Sequence, residues 1–182
     1  MNYSFKNFKK NAITRFLELD KYCYIQEKIY NCDISKNTNF QTTFNAFYKV
    51  RRDKKWREIF YGYFESIKNN KNIKFEEILQ HIYKATGRIE ASFASKMLAT
   101  INSNMPIWDQ YVLKNLNLKV SGKTKKEKLD NTIKTYYEIV EIEREELKRE
   151  DIKQVIKEFK QNFKEYEISD IKILDYILWN SR

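Results

Sequence analysis

The chain has 182 residues, of which 42% are hydrophobic and 15% aromatic, so it can bury a substantial core. Its 35 lysine and arginine residues exceed its 25 acidic residues, which gives a formal charge of +10. This composition excludes a disordered chain, and the excess of positive charge favours a polyanion as partner. A second interpretation stays open, in which the lysines only keep the protein soluble.

Several classes of protein are excluded by what the sequence lacks. The two cysteines, Cys23 and Cys32, are too few for a disulfide framework, and no second pair could complete a zinc site. No Ser-His-Asp pattern, Walker loop or Rossmann glycine pattern occurs. Long apolar stretches and the apolar region of a secretory signal are also absent. We therefore expect a reduced, cytoplasmic protein with no membrane partner.

Three glycines and one proline are too few for the turns of an all-β domain, whereas apolar residues recur at spacings of three and four. The sequence therefore predicts an all-α fold, a single multi-helix domain over residues 1–182 with possible helical lobes at 1–87 and 88–182. Asn39 is expected to cap the second helix, and Gly87 to end the fourth. The expected helices span residues 5–30, 40–52, 54–68, 75–85, 92–101, 106–116, 128–149, 152–163 and 168–179.

Residues 91–117 are expected to form a helix-turn-helix hairpin. Its second helix would begin at Pro106, because the missing N–H group of proline is tolerated in the first turn of a helix. Asp109 would then be a first-turn acid, stabilised by the positive end of the helix dipole. It could also be a catalytic carboxylate, and spacing alone leaves both interpretations open.

The first helix of this hairpin places a lysine among small residues. At 100° per residue, Ser92, Ser95, Lys96 and Ala99 share one face, opposite the apolar side of the helix. Small residues allow another polymer to approach closely, and a partly desolvated lysine can act as a nucleophile. The alternative is an exposed lysine on the polar side of an amphipathic helix.

Positive charge is concentrated in two parts of the chain. Residues 49–57 contain six basic residues and one acid, and residues 119–128 contain five basic residues and one acid. Residues 138–150, in contrast, are dominated by acids. Because clustered lysine and arginine neutralise phosphates, this distribution favours a nucleic-acid partner. The candidate nucleic-acid contacts are Arg51, Arg52, Lys54, Lys55, Arg57, Ser92, Ser95, Lys123, Lys125 and Lys126.

The segments ASFASKML and PIWDQYV together resemble the helix-hairpin-helix DNA glycosylase superfamily, and within it the 8-oxoguanine DNA glycosylases. ASFASKML would occupy the hairpin, with Ser92 and Ala94 at the glycine positions. The segment ILDYILW is similar to the Leu-Asp-x-x-Leu-Trp helix of some archaeal members. The stretch is also similar to a set of bacterial proteins that carry SFASK and PIWD segments, and that likeness assigns no activity. The resemblance covers residues 88–118.

The resemblance implies a base-excision glycosylase and lyase that acts on double-stranded DNA without a metal or an organic cofactor. A damaged base would flip out of the duplex, and Lys96 would attack C1′ of the sugar to form a Schiff base. Asp109 would stabilise positive charge developing on the sugar. Trp108 would stack on the extruded base, although it also suits the core. The alternative is a non-catalytic helical protein that binds nucleic acid or acts in host–phage conflict.

Overall fold

A computed structural model of the protein describes residues 19–180, and these residues form helices without any strand. This confirms the predicted all-α class. Residues 5–18 of the first predicted helix lie outside the described range. No helix within that range has the length and apolar content needed to cross a lipid bilayer. The helices are α1 (Leu19–Lys28), α2 (Thr38–Tyr48), α3 (Lys54–Ile67), α4 (Phe75–Thr86), α5 (Ala91–Ile101), α6 (Gln110–Asn115), α7 (Lys125–Glu146), α8 (Glu150–Asn162) and α9 (Asp170–Asn180).

Local side-chain and backbone chemistry sets the ends of several helices. Asn37, and not the predicted Asn39, caps α2, because its side-chain oxygen accepts a hydrogen bond from the Phe40 N–H group at 2.8 Å. Gly87 ends α4 as predicted, with a φ of 70° in the left-handed region that glycine enters without a Cβ clash. These two helix boundaries therefore follow short-range chemistry.

The described residues fall into two compact units. The first unit is residues 19–102 and contains α1 to α5. The second unit is residues 103–180 and contains α6 to α9. The boundary between the units lies between the two helices of the predicted hairpin.

Aromatic rings fill the core of the first unit. The ring centroid of Phe44 lies between 4.6 and 6.0 Å from those of five other rings, most of them tilted or edge-on. Such geometries are favourable beyond the apolar area that they bury. Within this unit α1 packs on α2, α3 on α4, and α4 on α5. The five neighbouring rings belong to Phe40, Tyr48, Phe60, Tyr61 and Phe64.

Helix α9 is the centre of the second unit, where it packs against α6, α7 and α8. A helix that contacts three others must be apolar over most of its circumference, and the segment IKILDYILW has that character. Seven of the eight residues 171–178 are buried, including Lys172 and Asp175 at 5% exposure each. The second unit therefore encloses charged side chains together with apolar ones.

The predicted start of α6 at Pro106 is wrong, because the helix begins at Gln110. Residues 106–108 are buried but not helical. The Tyr136 hydroxyl of α7 donates to the Pro106 carbonyl at 3.0 Å, and the Ile107 N–H group donates to the Asp175 carboxylate of α9 at 3.1 Å. Side chains from distant helices thus satisfy backbone groups that a longer α6 would have used.

Candidate functional site

The basic segment, residues 49–57, comprises the connection between α2 and α3 and the first turn of α3 in the first unit. Its single acid, Asp53, caps α3 by accepting a hydrogen bond from the Trp56 N–H group at 2.9 Å. The side chains of Arg51, Lys54 and Lys55 are exposed, and Arg57 is half-buried. Asp53 thus serves as the N-cap of α3, and exposed cations dominate the surface of the segment.

Arg52 is held differently from the other cations of the basic segment. Its guanidinium makes an ion pair with Glu90, with a shortest N–O distance of 2.8 Å, and Glu90 is only 9% exposed. The guanidinium carbon also lies 5.2 Å from the centroid of the Phe93 ring and 5.9 Å from that of Trp56. Arg52 therefore anchors the basic segment to the start of α5, whereas its neighbours face solvent.

Lys96 lies half-buried on α5 and contacts the end of α2. Its Nζ donates a hydrogen bond to the Tyr48 carbonyl at 3.1 Å, and it lies 5.4 and 5.9 Å from the ring centroids of Phe93 and Tyr48. A main-chain carbonyl and two aromatic faces all stabilise the ammonium form of an amine. These contacts hold Lys96 in a packed position between two helices.

The face of α5 that carries small residues is packed inside the first unit. Ser95 and Ala99 are 0% and 4% exposed, and the Ser95 hydroxyl donates to the Ser92 carbonyl at 3.0 Å. Small residues allow close approach, and here the approaching groups belong to the same unit. Ser92 is half-buried. A phosphate could reach the Ser95 hydroxyl only if α5 left this packing.

Trp108 and Asp109 belong to the second unit. The Asp109 carboxylate accepts a hydrogen bond from the Tyr111 N–H group at 2.9 Å, so Asp109 is the N-cap of α6 and not a residue of its first turn. The Trp108 side chain is 9% exposed. Both residues thus have a structural role in this unit, and stacking of Trp108 on a base would require it to leave the core.

The second basic region, residues 119–128, surrounds the start of α7. Thr124 and Glu127 form a reciprocal capping box there. Lys123, Lys125 and Lys126 are exposed. Lysines in the first turn of a helix are disfavoured by the positive end of the helix dipole, and Glu127 supplies the only acid of that turn.

Charge is unevenly divided between the two units. Residues 19–102 contain 15 basic and 9 acidic residues, whereas residues 103–180 contain 15 of each. Among the described residues, the positive excess therefore lies in the first unit, which carries the basic segment.

Comparison of the chain with protein-family models, curated proteins and solved structures found no match. Within residues 19–180, no group of three or more histidine, cysteine, aspartate or glutamate side chains is arranged to hold a metal ion.

A buried group of ionisable side chains in the second unit was not anticipated from the sequence. Glu143 of α7 is 0% exposed, and neither of its carboxylate oxygens has a hydrogen-bond partner among the described residues. Lys172 and Asp175 of α9 interact with it electrostatically. We call Glu143, Lys172 and Asp175 the buried acid–base cluster. Two carboxyl groups and one amine thus interact electrostatically in the buried interior of the second unit.

Burial shifts the pKa of every member of this cluster in the direction that favours its neutral form. It raises the pKa of Glu143 well above its usual range, and the charge of Asp175 adds to that effect. It raises the pKa of Asp175 to about 7, although Lys172 opposes the change. It lowers the pKa of Lys172. Below neutral pH, the cluster therefore keeps a proton on at least one carboxyl group.

The sequence did contain a signal for this cluster. Lys172 and Asp175 interrupt an otherwise apolar helix. Glu143 lies in an acidic run, but it follows Tyr136, Ile139 and Val140 at helical spacing, which places it on the buried face of α7. Charged residues on the apolar side of an amphipathic pattern are the feature that identifies such groups.

Replacement of Glu143 by glutamine tests the cluster. The folded-state pKa values of Glu143 and Asp175 are raised. Their contribution to the free energy of unfolding is therefore fully present at pH values below the unfolded-state pKa values, and it is lost as pH rises through the folded-state pKa values. We therefore expect Glu143 and Asp175 to lower the free energy of unfolding of the natural protein as pH rises from 5 to 8, whereas His81 and Lys172, whose pKa values burial lowers, act in the opposite direction. In Glu143→Gln the free energy of unfolding should fall less over this pH range. The variant should therefore become more stable relative to the natural protein as pH rises.

Urea denaturation followed by circular dichroism at several pH values measures this difference. Glu141→Gln is the matched control, because Glu141 is exposed on the same helix and pairs with Arg144 at 2.8 Å. Parallel pH profiles for Glu143→Gln and the natural protein would show that Glu143 is not held neutral.

Proposed function

We propose that this protein binds nucleic acid, with duplex DNA as the expected form, through the basic segment of residues 49–57. The observation that carries the proposal is the exposure of Arg51, Lys54 and Lys55 in a segment whose one acid is occupied in capping α3. Phosphate neutralisation by such clustered cations releases counterions from nucleic acid and drives its binding. The choice of duplex DNA rests on the resemblance of residues 88–118 to helix-hairpin-helix proteins.

The packing of the first unit supports this assignment. Arg52 is fixed by Glu90 and by two aromatic rings, so the backbone between α2 and α3 is held at its middle. Cations on an anchored backbone lose less conformational entropy on binding than cations on a mobile tail. The excess of basic residues over acidic ones in residues 19–102 adds a long-range attraction for polyanions.

The lysines near the start of α7 provide a second, independent reason. Lys125 and Lys126 occupy helix positions where a positive charge opposes the dipole. A bound phosphate would relieve that repulsion, because its negative charge would lie near the lysine side chains. Lys123, in the loop before α7, would add to the same contact.

Replacement of Arg51, Lys54 and Lys55 together by glutamine tests the main surface. Loss of about three phosphate contacts should weaken duplex binding by about tenfold or more at 0.1 M salt, and should reduce the slope of log affinity against log salt by about 3. Fluorescence anisotropy of a labelled duplex, repeated over a range of salt concentrations, measures both quantities.

The matched control replaces Lys36, Lys74 and Lys84, three other exposed lysines of the first unit, by glutamine. Both variants lose the same charge, so a difference between them reports position and not net charge. The proposal fails if the two variants bind equally well, or if the natural protein shows no salt-dependent binding to duplex DNA, single-stranded DNA or RNA.

Base excision through Lys96 and Asp109 is the second candidate, favoured by the resemblance of the segments SFASK and PIWD. The proposed function does not require this chemistry. Lys96 donates to the Tyr48 carbonyl, and Asp109 caps α6, so each already has a structural partner. An amine that acts as a nucleophile must be available to attack the sugar, whereas the Lys96 amine already contacts the Tyr48 carbonyl within the first unit.

Borohydride trapping separates binding from base excision. With duplexes that contain 8-oxoguanine or an abasic site, we expect no covalent adduct with the natural protein. We expect Lys96→Gln to retain DNA binding and to lose about 1–2 kcal/mol of stability, because the Tyr48 carbonyl loses its donor and the aromatic rings lose a cation. A trapped adduct that disappears in Lys96→Gln would instead establish the lysine as a nucleophile.

A further inference from the structure

A lysine-lined cleft of about 390 Å³ lies on the surface of the second unit, along α8. Four lysines line it, together with one glutamine, one aspartate and two apolar side chains. None of the candidate site residues predicted from the sequence lines this cleft. The lining lysines are Lys153, Lys157, Lys160 and Lys164.

The charge of this cleft departs from that of the unit that carries it. Residues 103–180 are balanced, with 15 basic and 15 acidic residues, but the cleft has four lysines and only Asp170 as an acid. Lysines at intervals of four, three and four positions follow one side of α8 and continue just beyond its end at Asn162. A row of positive charge therefore runs along the cleft.

Two of the four lysines are engaged within the unit. Lys153 pairs with Glu150 at 2.7 Å, and Lys160 pairs with Asp170 at 2.5 Å. Lys157 and Lys164 are exposed, and no ion pair joins either of them to another residue of the described part of the chain. These two ammonium groups can meet an external anion without first breaking an ion pair seen here.

We propose that this cleft binds the phosphate backbone of a nucleic acid, with Lys157 and Lys164 as its principal contacts. The inference rests on the proposed function, to which it adds a second binding surface. A row of cations matches a linear polyanion, in which successive phosphates can each meet one lysine. The apolar side chains of Leu147 and Ile156 also line the cleft and provide a surface on which a sugar or base can pack.

Other occupants fit the cleft less well. An apolar ligand would lie beside the ammonium groups of Lys157 and Lys164, which it could not pair. An acidic amphipathic helix would need a continuous apolar strip for anchors at spacings of three and four, and the lining offers only Leu147 and Ile156. The cleft chemistry therefore favours a flexible, repeating anion over a folded peptide.

The test replaces Lys157 and Lys164 together by glutamine in the full chain. Fluorescence anisotropy with a labelled duplex, and with single-stranded DNA of the same sequence, should show binding weakened about fivefold at 0.1 M salt. The magnitude of the negative slope of log affinity against log salt should decrease by about 2, since two phosphate contacts are lost. The matched control is the double replacement of Lys114 and Lys134, two exposed lysines of the second unit outside the cleft, by glutamine.

The outcomes distinguish this inference from the proposed function. If the natural protein binds nucleic acid and the Lys157/Lys164 variant binds as tightly as the Lys114/Lys134 control, the cleft proposal alone is overturned. If the natural protein binds no nucleic acid, both proposals fall. If the Lys157/Lys164 variant loses binding to polyglutamate but not to nucleic acid, the cleft takes an acidic protein segment, and the inference is again overturned.

Discussion

The ion pair between Arg52 and Glu90 fixes the part of the first unit on which the proposed function depends. It connects the segment after α2 to the start of α5, and the rings of Phe93 and Trp56 cover the guanidinium. Because Glu90 is almost fully buried, loss of Arg52 would leave a carboxylate without its partner in a dry environment. One arginine of the basic segment is thus used to hold the others in place, and those others remain exposed to solvent.

The second unit differs from the first in that it buries a cluster of ionisable groups. Asp175 satisfies the Ile107 N–H group with one oxygen, and its second oxygen is buried without a partner among residues 19–180. Glu143 is also buried, and neither of its carboxylate oxygens has a hydrogen-bond partner among these residues. Such an arrangement is stable only if a proton neutralises one of the carboxyl groups. The stability of this unit is therefore linked to pH, whereas the surface contacts proposed for nucleic acid depend mainly on salt.

Much of the fold could be predicted from the sequence, and the limits have physical causes. Helix α3 begins where predicted and α4 ends at Gly87, because periodicity and capping are local. The start of α6 was missed because the partners of Pro106 and Ile107 lie 30 and 68 positions away, on α7 and α9. The positions of the exposed cations could be read from the basic segment. The Arg52–Glu90 pair and the contact of Lys96 with the Tyr48 carbonyl could not, since each joins distant parts of the chain.

The basic segment is the surface that we propose binds nucleic acid. The most direct test is amine-acylation footprinting by mass spectrometry, with and without a saturating DNA duplex. Lys54 and Lys55 are exposed and should be acylated readily in the free protein. We expect DNA to protect both lysines, while exposed lysines such as Lys36 and Lys74 keep their reactivity. Unchanged acylation of Lys54 and Lys55 in the bound protein would contradict it.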